Sequence, residues 1–172
     1  IFVDSGLTYD GAATTSITGL DHLEGETVAV LADGAVHPNR TVTSGAITLQ
    51  LAASVVNVGL PYVATIKTMP IEAGAQDGTA QGKEQRINGI VLDLFETGAG
   101  LWYGPNTTDM DEYAVRSSGD AMDAPVPLFT GQTDRLAWPG EYEKGTQMVV
   151  QHRLPLPCTV RALLPQLHTY DR

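Results

Sequence analysis

Thr27-Val28-Ala29-Val30-Leu31-Ala32-Asp33-Gly34-Ala35-Val36-His37-Pro38-Asn39-Arg40-Thr41-Val42-Thr43-Ser44-Gly45-Ala46-Ile47-Thr48-Leu49-Gln50-Leu51 is the stretch that decides the fold. Val28, Val30 and Ala32 fall on one face, the period of a half-buried strand. Asp33-Gly34 is a tight-hairpin dipeptide, because both central positions of such a turn need positive φ. Ala35–His37 continues as a strand, Pro38-Asn39 turns, Arg40–Thr43 resumes, and Ser44-Gly45 turns again before Ala46–Leu51. Turn signals about every eight to twelve residues predict an antiparallel meander or a small barrel.

Outward from this stretch the pattern repeats. Upstream, Phe2–Tyr9 is interrupted at Gly6, and Thr14–Ile17 leads into Gly19-Leu20-Asp21-His22-Leu23-Glu24-Gly25. Downstream, Val55–Leu60 and Tyr62–Met69 are divided by Pro61, which suits an edge or a bend. Gly74–Gly82 reads as a loop. Glu84–Glu96 fits a helix or a strand. Gly89 costs a helix about 1 kcal/mol, and the run Ile87, Ile90, Val91, Leu92, Leu94, Phe95 favours a strand covered on both faces. Gly98–Gly104 turns and becomes a short strand. Pro105–Pro127 is an acidic excursion with Asp109, Asp111, Glu112, Asp120 and Asp123 against Arg116 alone. Long loops of that kind are often functional or mobile. Thr130–Gly140 is another loop. Thr146–Leu154 and Cys158–Leu164 form a strand pair interrupted by Pro155 and Pro157, and the chain leaves the strand pattern after Pro165.

The expected fold is therefore all-β and mainly antiparallel. It has a small barrel-like β unit at 1–62 and an antiparallel β-sandwich or sheet at 63–172, with no flexible linker between them. Composition agrees: about one residue in four of the 172 is Val, Ile or Thr, and about one in six is Gly or Pro. Those residues favour strands and turns, and they exclude a helical bundle, a coiled coil and a disordered chain. The opening Ile1-Phe2-Val3-Asp4 reads like the middle of a strand, so a piece of a longer polypeptide is expected.

Net charge is −10, and the ten basic residues are scattered. Nucleic-acid binding needs clustered Lys and Arg, so no nucleic-acid partner is expected. An anionic membrane surface is excluded on the same ground. One Cys, Cys158, rules out an intramolecular disulfide framework. No apolar run reaches the roughly 18 residues of a membrane span.

The motifs of common chemistries are missing. Gly78-Thr79-Ala80-Gln81-Gly82-Lys83-Glu84 is one residue short of a phosphate loop and ends in Glu. Gly98-Ala99-Gly100-Leu101-Trp102-Tyr103-Gly104 misplaces the last Gly of a dinucleotide fingerprint. No Gly-x-Ser-x-Gly elbow occurs. His22, His37, His152 and His168 lack the spacing of a helical zinc site, and His22 reads as a strand-end His bonded to backbone or water. Asp109-x-Asp111-Glu112 lacks the third oxygen ligand and the Gly of a calcium loop. Asp93 and Glu96 flank an apolar run and are the acids to check for raised pKa, as a glycosidase pair would need. Asn39-Arg40-Thr41 and Asn106-Thr107-Thr108 match the glycosylation acceptor pattern, which matters only in a secretory context. No catalytic, cofactor-binding or metal residue is assigned. Trp102, Tyr103, Trp138 and Tyr142 fall near turns and form a candidate contact patch if exposed together. Asp109, Asp111 and Glu112 are the candidate partner-facing acids.

One resemblance covers the chain from about Val3 to Leu164. It rests on Gly19-Leu20-Asp21-His22-Leu23-Glu24-Gly25, Val28-Ala29-Val30-Leu31-Ala32-Asp33-Gly34, Gly59-Leu60-Pro61-Tyr62, Thr68-Met69-Pro70-Ile71-Glu72, Gln81-Gly82-Lys83 with Arg86-Ile87, and Pro127-Leu128-Phe129-Thr130-Gly131. In that order, closed by a Pro-Leu-Pro strand pair, they resemble the C-terminal region of large tail-associated structural proteins of tailed bacteriophages and prophages. The resemblance implies a β-rich virion component without enzymatic activity, made in the bacterial host cytoplasm and assembled as a homo-oligomer about the tail axis. Its implied partners are other tail or portal-proximal virion proteins. Two other readings rest on the residues themselves. One is a glycan-binding or host-recognition module using Trp102, Tyr103, Trp138 and Tyr142. The other, ranked last, is a hydrolase fragment using Asp93 or Glu96.

Overall fold

A computed structural model describes residues 2–72, 79, 82–121 and 124–170. The chain is nearly all β, with 58% strand against 2% helix, and its sheets are antiparallel. The strands are β1 (Asp4–Thr18), β2 (Thr27–Ala32), β3 (Ala35–Thr41), β4 (Ala46–Leu60), β5 (Ala64–Lys67), β6 (Glu84–Thr97), β7 (Leu101–Gly104), β8 (Asp111–Tyr113), β9 (Phe129–Gln132), β10 (Glu143–Lys144), β11 (Val149–His152) and β12 (Thr159–Tyr170). Two compact units form. Unit 1 holds Ile1–Val63, Val115–Pro127 and Arg153–Pro157, and unit 2 holds Ala64–Ala114, Leu128–His152 and Cys158–Arg172.

Unit 1 is one sheet in the order β1-β4-β2-β3. Its tight turns follow directly from the sequence. Asp33 and Gly34 take φ 47° and 81°, so Ala32 pairs with Ala35 across a two-residue loop. The Asp33 carboxylate accepts the backbone N–H of Val55 at 2.8 Å and fixes the hairpin against β4. Ser44 and Gly45 repeat the device with φ 53° and 66°. There the Glu24 carboxylate accepts both turn N–H groups, at 2.9 and 2.7 Å.

The expected barrel does not form, since none of the sheets closes. Nor is the sheet a meander, because β1 pairs with β4 and not with β2. The segment between β1 and β2 is a 3₁₀ turn, Asp21–Leu23, that sends Leu20 and Leu23 into the core and does not return the chain beside β1. Several expected strands fuse. Gly6 and Gly11 do not end β1, whose register shifts between Asp4 and Leu7 and between Asp10 and Thr14 absorb them as bulges. Ala46–Leu51 and Val55–Leu60 are one strand, since Ala52-Ala53-Ser54 holds no breaker. Pro38 does not turn the chain either. It lies within β3, at the sheet edge, where the missing N–H breaks no ladder. Phe2 and Val3 precede the first strand.

Unit 2 contains two sheets. One has the order β10-β6-β12, with β9 also beside β6; the other runs β5-β11-β7-β8. Ile87, Ile90, Leu92 and Leu94 of β6 share a core with Leu101 and Tyr103 of β7 and Val150 of β11. The two sheets therefore form the layers of a sandwich. Glu84–Glu96 resolves as strand, but its outer face is not covered, and Phe95 is 43% exposed. The two C-terminal strands do not pair with each other: β11 lies between β5 and β7, while β12 pairs with β6. β12 also runs through Pro165 to Tyr170, again because an edge strand tolerates Pro. The expected loops at 105–127 and 130–140 hold β8 and part of β9. The expected Gly74–Gly82 loop lies outside the described residues except for Thr79 and Gly82, and Asp123 lies outside them too.

Candidate functional site

β6 and β12 carry residues to one end of unit 2 by simple register. Glu84 pairs with Tyr170 and Arg86 with His168, so these four side chains alternate onto the outer face of the sheet. β10 adds Glu143 and Lys144 beside Gln85 and Glu84. The segment before β10, Trp138–Tyr142, crosses the same end. An open groove of about 620 Å³ results, lined by Arg86, Asp109, Trp138, Glu141, Tyr142 and Glu143 together with Pro139 and Gly140. A smaller concavity of about 240 Å³ is lined by Glu84, Tyr142 and Tyr170. Tyr142 belongs to both.

The Tyr142 ring, 45% exposed, organises this end. The Arg86 guanidinium lies over it, 5.9 Å from the ring centroid. Tyr170 meets it edge-on at 6.5 Å and His168 at 6.2 Å, both favoured aromatic geometries. Tyr142 Oη is 3.3 Å from His168 Nδ1. Trp138 is only 7% exposed. Its ring tilts against Tyr103 at 6.2 Å. Its Nε1 edge turns to Gly140, where a Cβ would stand 2.8 Å from Nε1.

The structure thus divides the residues singled out in the sequence. Trp138, Tyr142 and Asp109 come together. Tyr103 is buried in the core behind Trp138, and burial, followed by the Asp111 charge, pushes its phenol pKa up. Trp102 alternates to the other face of β7 from Tyr103, opposite Glu112 of β8. Asp111 and Glu112 are exposed on β8, outside the groove lining. Asp109 ends an Asx turn in which Asn106 Oδ1 accepts the N–H groups of Thr108 and Asp109, both at 2.9 Å. Arg86, His168 and Tyr170 were not anticipated. The alternation of Glu84, Arg86 and Asn88 was readable, but its partner residues appear only once β12 continues past Pro165.

The remaining candidates have local roles. His22 Nε2 lies 3.2 Å from the Ser5 carbonyl oxygen. Asp93 is engaged by Arg161, whose Nε donates at 2.9 Å and whose second nitrogen also meets it. The Glu96 N–H donates to Thr130 Oγ1. Burial pushes the Cys158 thiol pKa up and the His152 imidazole pKa down. Among the described residues, no three His, Cys, Asp or Glu side chains gather as a metal cluster, and no helix is long and apolar enough to cross a membrane. Compared with known proteins, the chain matches no family model and no curated protein.

Proposed function

We propose that this chain is a non-catalytic structural module of a bacteriophage tail that works through protein–protein contacts. The observation that carries the reading is the open edge of β1. This strand spans 15 residues and pairs only with β4, so its outer edge has no strand partner among the described residues. An exposed edge of that length is a template for another chain unless it is guarded. β1 contains no Pro, unlike β3 and β12, and its bulges near Gly6 and Gly11 interrupt the edge without capping it. Assembly supplies the missing partner. The order of motifs that resembles tail-associated proteins supports the same reading, as does Leu51, 80% exposed on β4. The net charge of −10 favours a less acidic neighbour and keeps unassembled copies apart.

The test uses the virion protein that carries this chain. Light scattering should show rings or larger assemblies, and peptide mass spectrometry should find the chain in purified particles. A protein that stays monomeric at high concentration and is absent from particles overturns the proposal.

A further inference from the structure

We infer that the Tyr142 groove of unit 2 is a binding site for a neutral oligosaccharide. This goes beyond the assembly role and does not depend on it. Three features point to the ligand class. First, the groove offers an aromatic side chain beside planar polar groups, the combination that suits the apolar face and the hydroxyls of a sugar ring. Its volume of about 620 Å³ lies within the range of small-molecule sites. Second, the Trp138 side chain is more than nine-tenths buried and lines the groove, and its N–H is not among the sealed polar atoms, so that edge opens to the groove. A sugar hydroxyl oxygen can take the place of water as the acceptor for that donor. Gly140 keeps that donor accessible, since a Cβ there would stand 2.8 Å from Nε1.

Third, the charges choose among ligands. Asp109, Glu141 and Glu143 face one guanidinium, Arg86. Three carboxylates against one cation repel acidic sugars, phosphates and nucleic acid. A cationic ligand suits the carboxylates but offers no acceptor to the indole N–H. A neutral polyol both donates and accepts: its hydroxyls donate to the carboxylates and accept from Arg86 and Trp138. The site is distinct from a Trp102–Trp138 patch, because Trp102 lies on the other face of its strand from the core that Trp138 joins.

The experiment is a titration of the ¹⁵N-labelled chain, following the two Trp indole N–H signals. Lactose, maltotriose and chitotriose are the neutral probes, sialyllactose is the acidic counterpart of lactose, and a lysine pentapeptide is the cationic control. The Trp138 signal should move saturably with at least one neutral sugar, at least about tenfold more tightly than with sialyllactose. Tyr142→Ala, at an exposed position, and Trp138→Phe, which keeps the packing but deletes the N–H, should each weaken binding about tenfold. Trp102→Phe should leave it unchanged. If Trp138→Phe fails to fold, Tyr142→Ala decides. The inference is overturned if no neutral sugar moves the Trp138 signal, if sialyllactose binds as tightly, if folded Tyr142→Ala binds like the parent, or if only the lysine peptide binds.

Discussion

Unit 1 builds its buried core from aliphatic side chains, among them Ile17, Leu20, Leu23, Val28, Val30, Ile47, Val56 and Val58, laid over a single sheet. Unit 2 places Tyr103 and Trp138 among Ile87, Leu92, Leu94 and Leu101, between two sheets. The difference lies in what closes each core. In unit 1 a short turn segment supplies Leu20 and Leu23 as the cover, and charged side chains such as Glu24 and Asp33 pin neighbouring turns. In unit 2 the cover is a second sheet, and the pairs that define it are distant in sequence, as where Tyr103 meets Val150. Trp138 of unit 2 reaches from that core to the lining of the polar groove.

The largest expected effect removes a side chain from the inter-sheet core. Leu92 is fully buried, and Leu92→Ala should cost about 3 kcal/mol, read by urea unfolding. Hydrogen exchange should then accelerate in β6, β7 and β11 and change little in β2 and β4. Equal acceleration in both units would break the comparison, because it would make them one cooperative body.

Next come the turns. Gly45 has φ 66°, and the Asp21 carboxylate occupies the place a Cβ would take. Gly145 of unit 2 has φ 75°, with only Pro70 in ordinary contact. Gly45→Ala should therefore cost about 2 kcal/mol and Gly145→Ala about 1 kcal/mol. Equal losses would show that backbone conformation alone sets the cost.

Acid separates the units more gently. Burial holds the His152 pKa below the ordinary 6.5. Its contribution is complete above that value and declines as pH falls below it, because the unfolded chain takes up the proton first. Replacing it, as in His152→Gln, should flatten the fall in stability that begins below about pH 6.5. Glu24 of unit 1 acts later. Its pKa is lowered from 4.5 by the N–H groups of Gly45 and then Ser44, so its contribution is present above 4.5 and lost as pH falls through the depressed value. Glu24→Gln should remove part of that later loss and leave the first untouched. Thermal unfolding measured across pH 3–8 checks both, and a Glu24→Gln effect near pH 6.5 would contradict the assignment.

The same contrast explains what was legible in the sequence. Asp33-Gly34 and Ser44-Gly45 announce their turns because positive φ at adjacent residues is a local demand. The strand at Glu84–Thr97 was readable from its apolar run and Gly89. Sheet order was not: nothing near β1 says that it passes over β2 to pair with β4. Pro38 and Pro165 misled for one reason. A Pro reads as a break, but whether it breaks a ladder depends on which edge faces a neighbour, and pairing decides that. At the candidate site, Trp138, Tyr142 and Asp109 were visible as residue types near turns. Arg86, His168 and Tyr170 join them only through the register of β6 with β12, which no local pattern encodes.

Electron cryomicroscopy of purified phage particles tests the proposed assembly role most directly. The account predicts this β module in repeated copies around the tail axis, with the outer edge of β1 against a neighbouring subunit. Tail density that lacks the module, or that shows it with the β1 edge facing solvent in every copy, would contradict it.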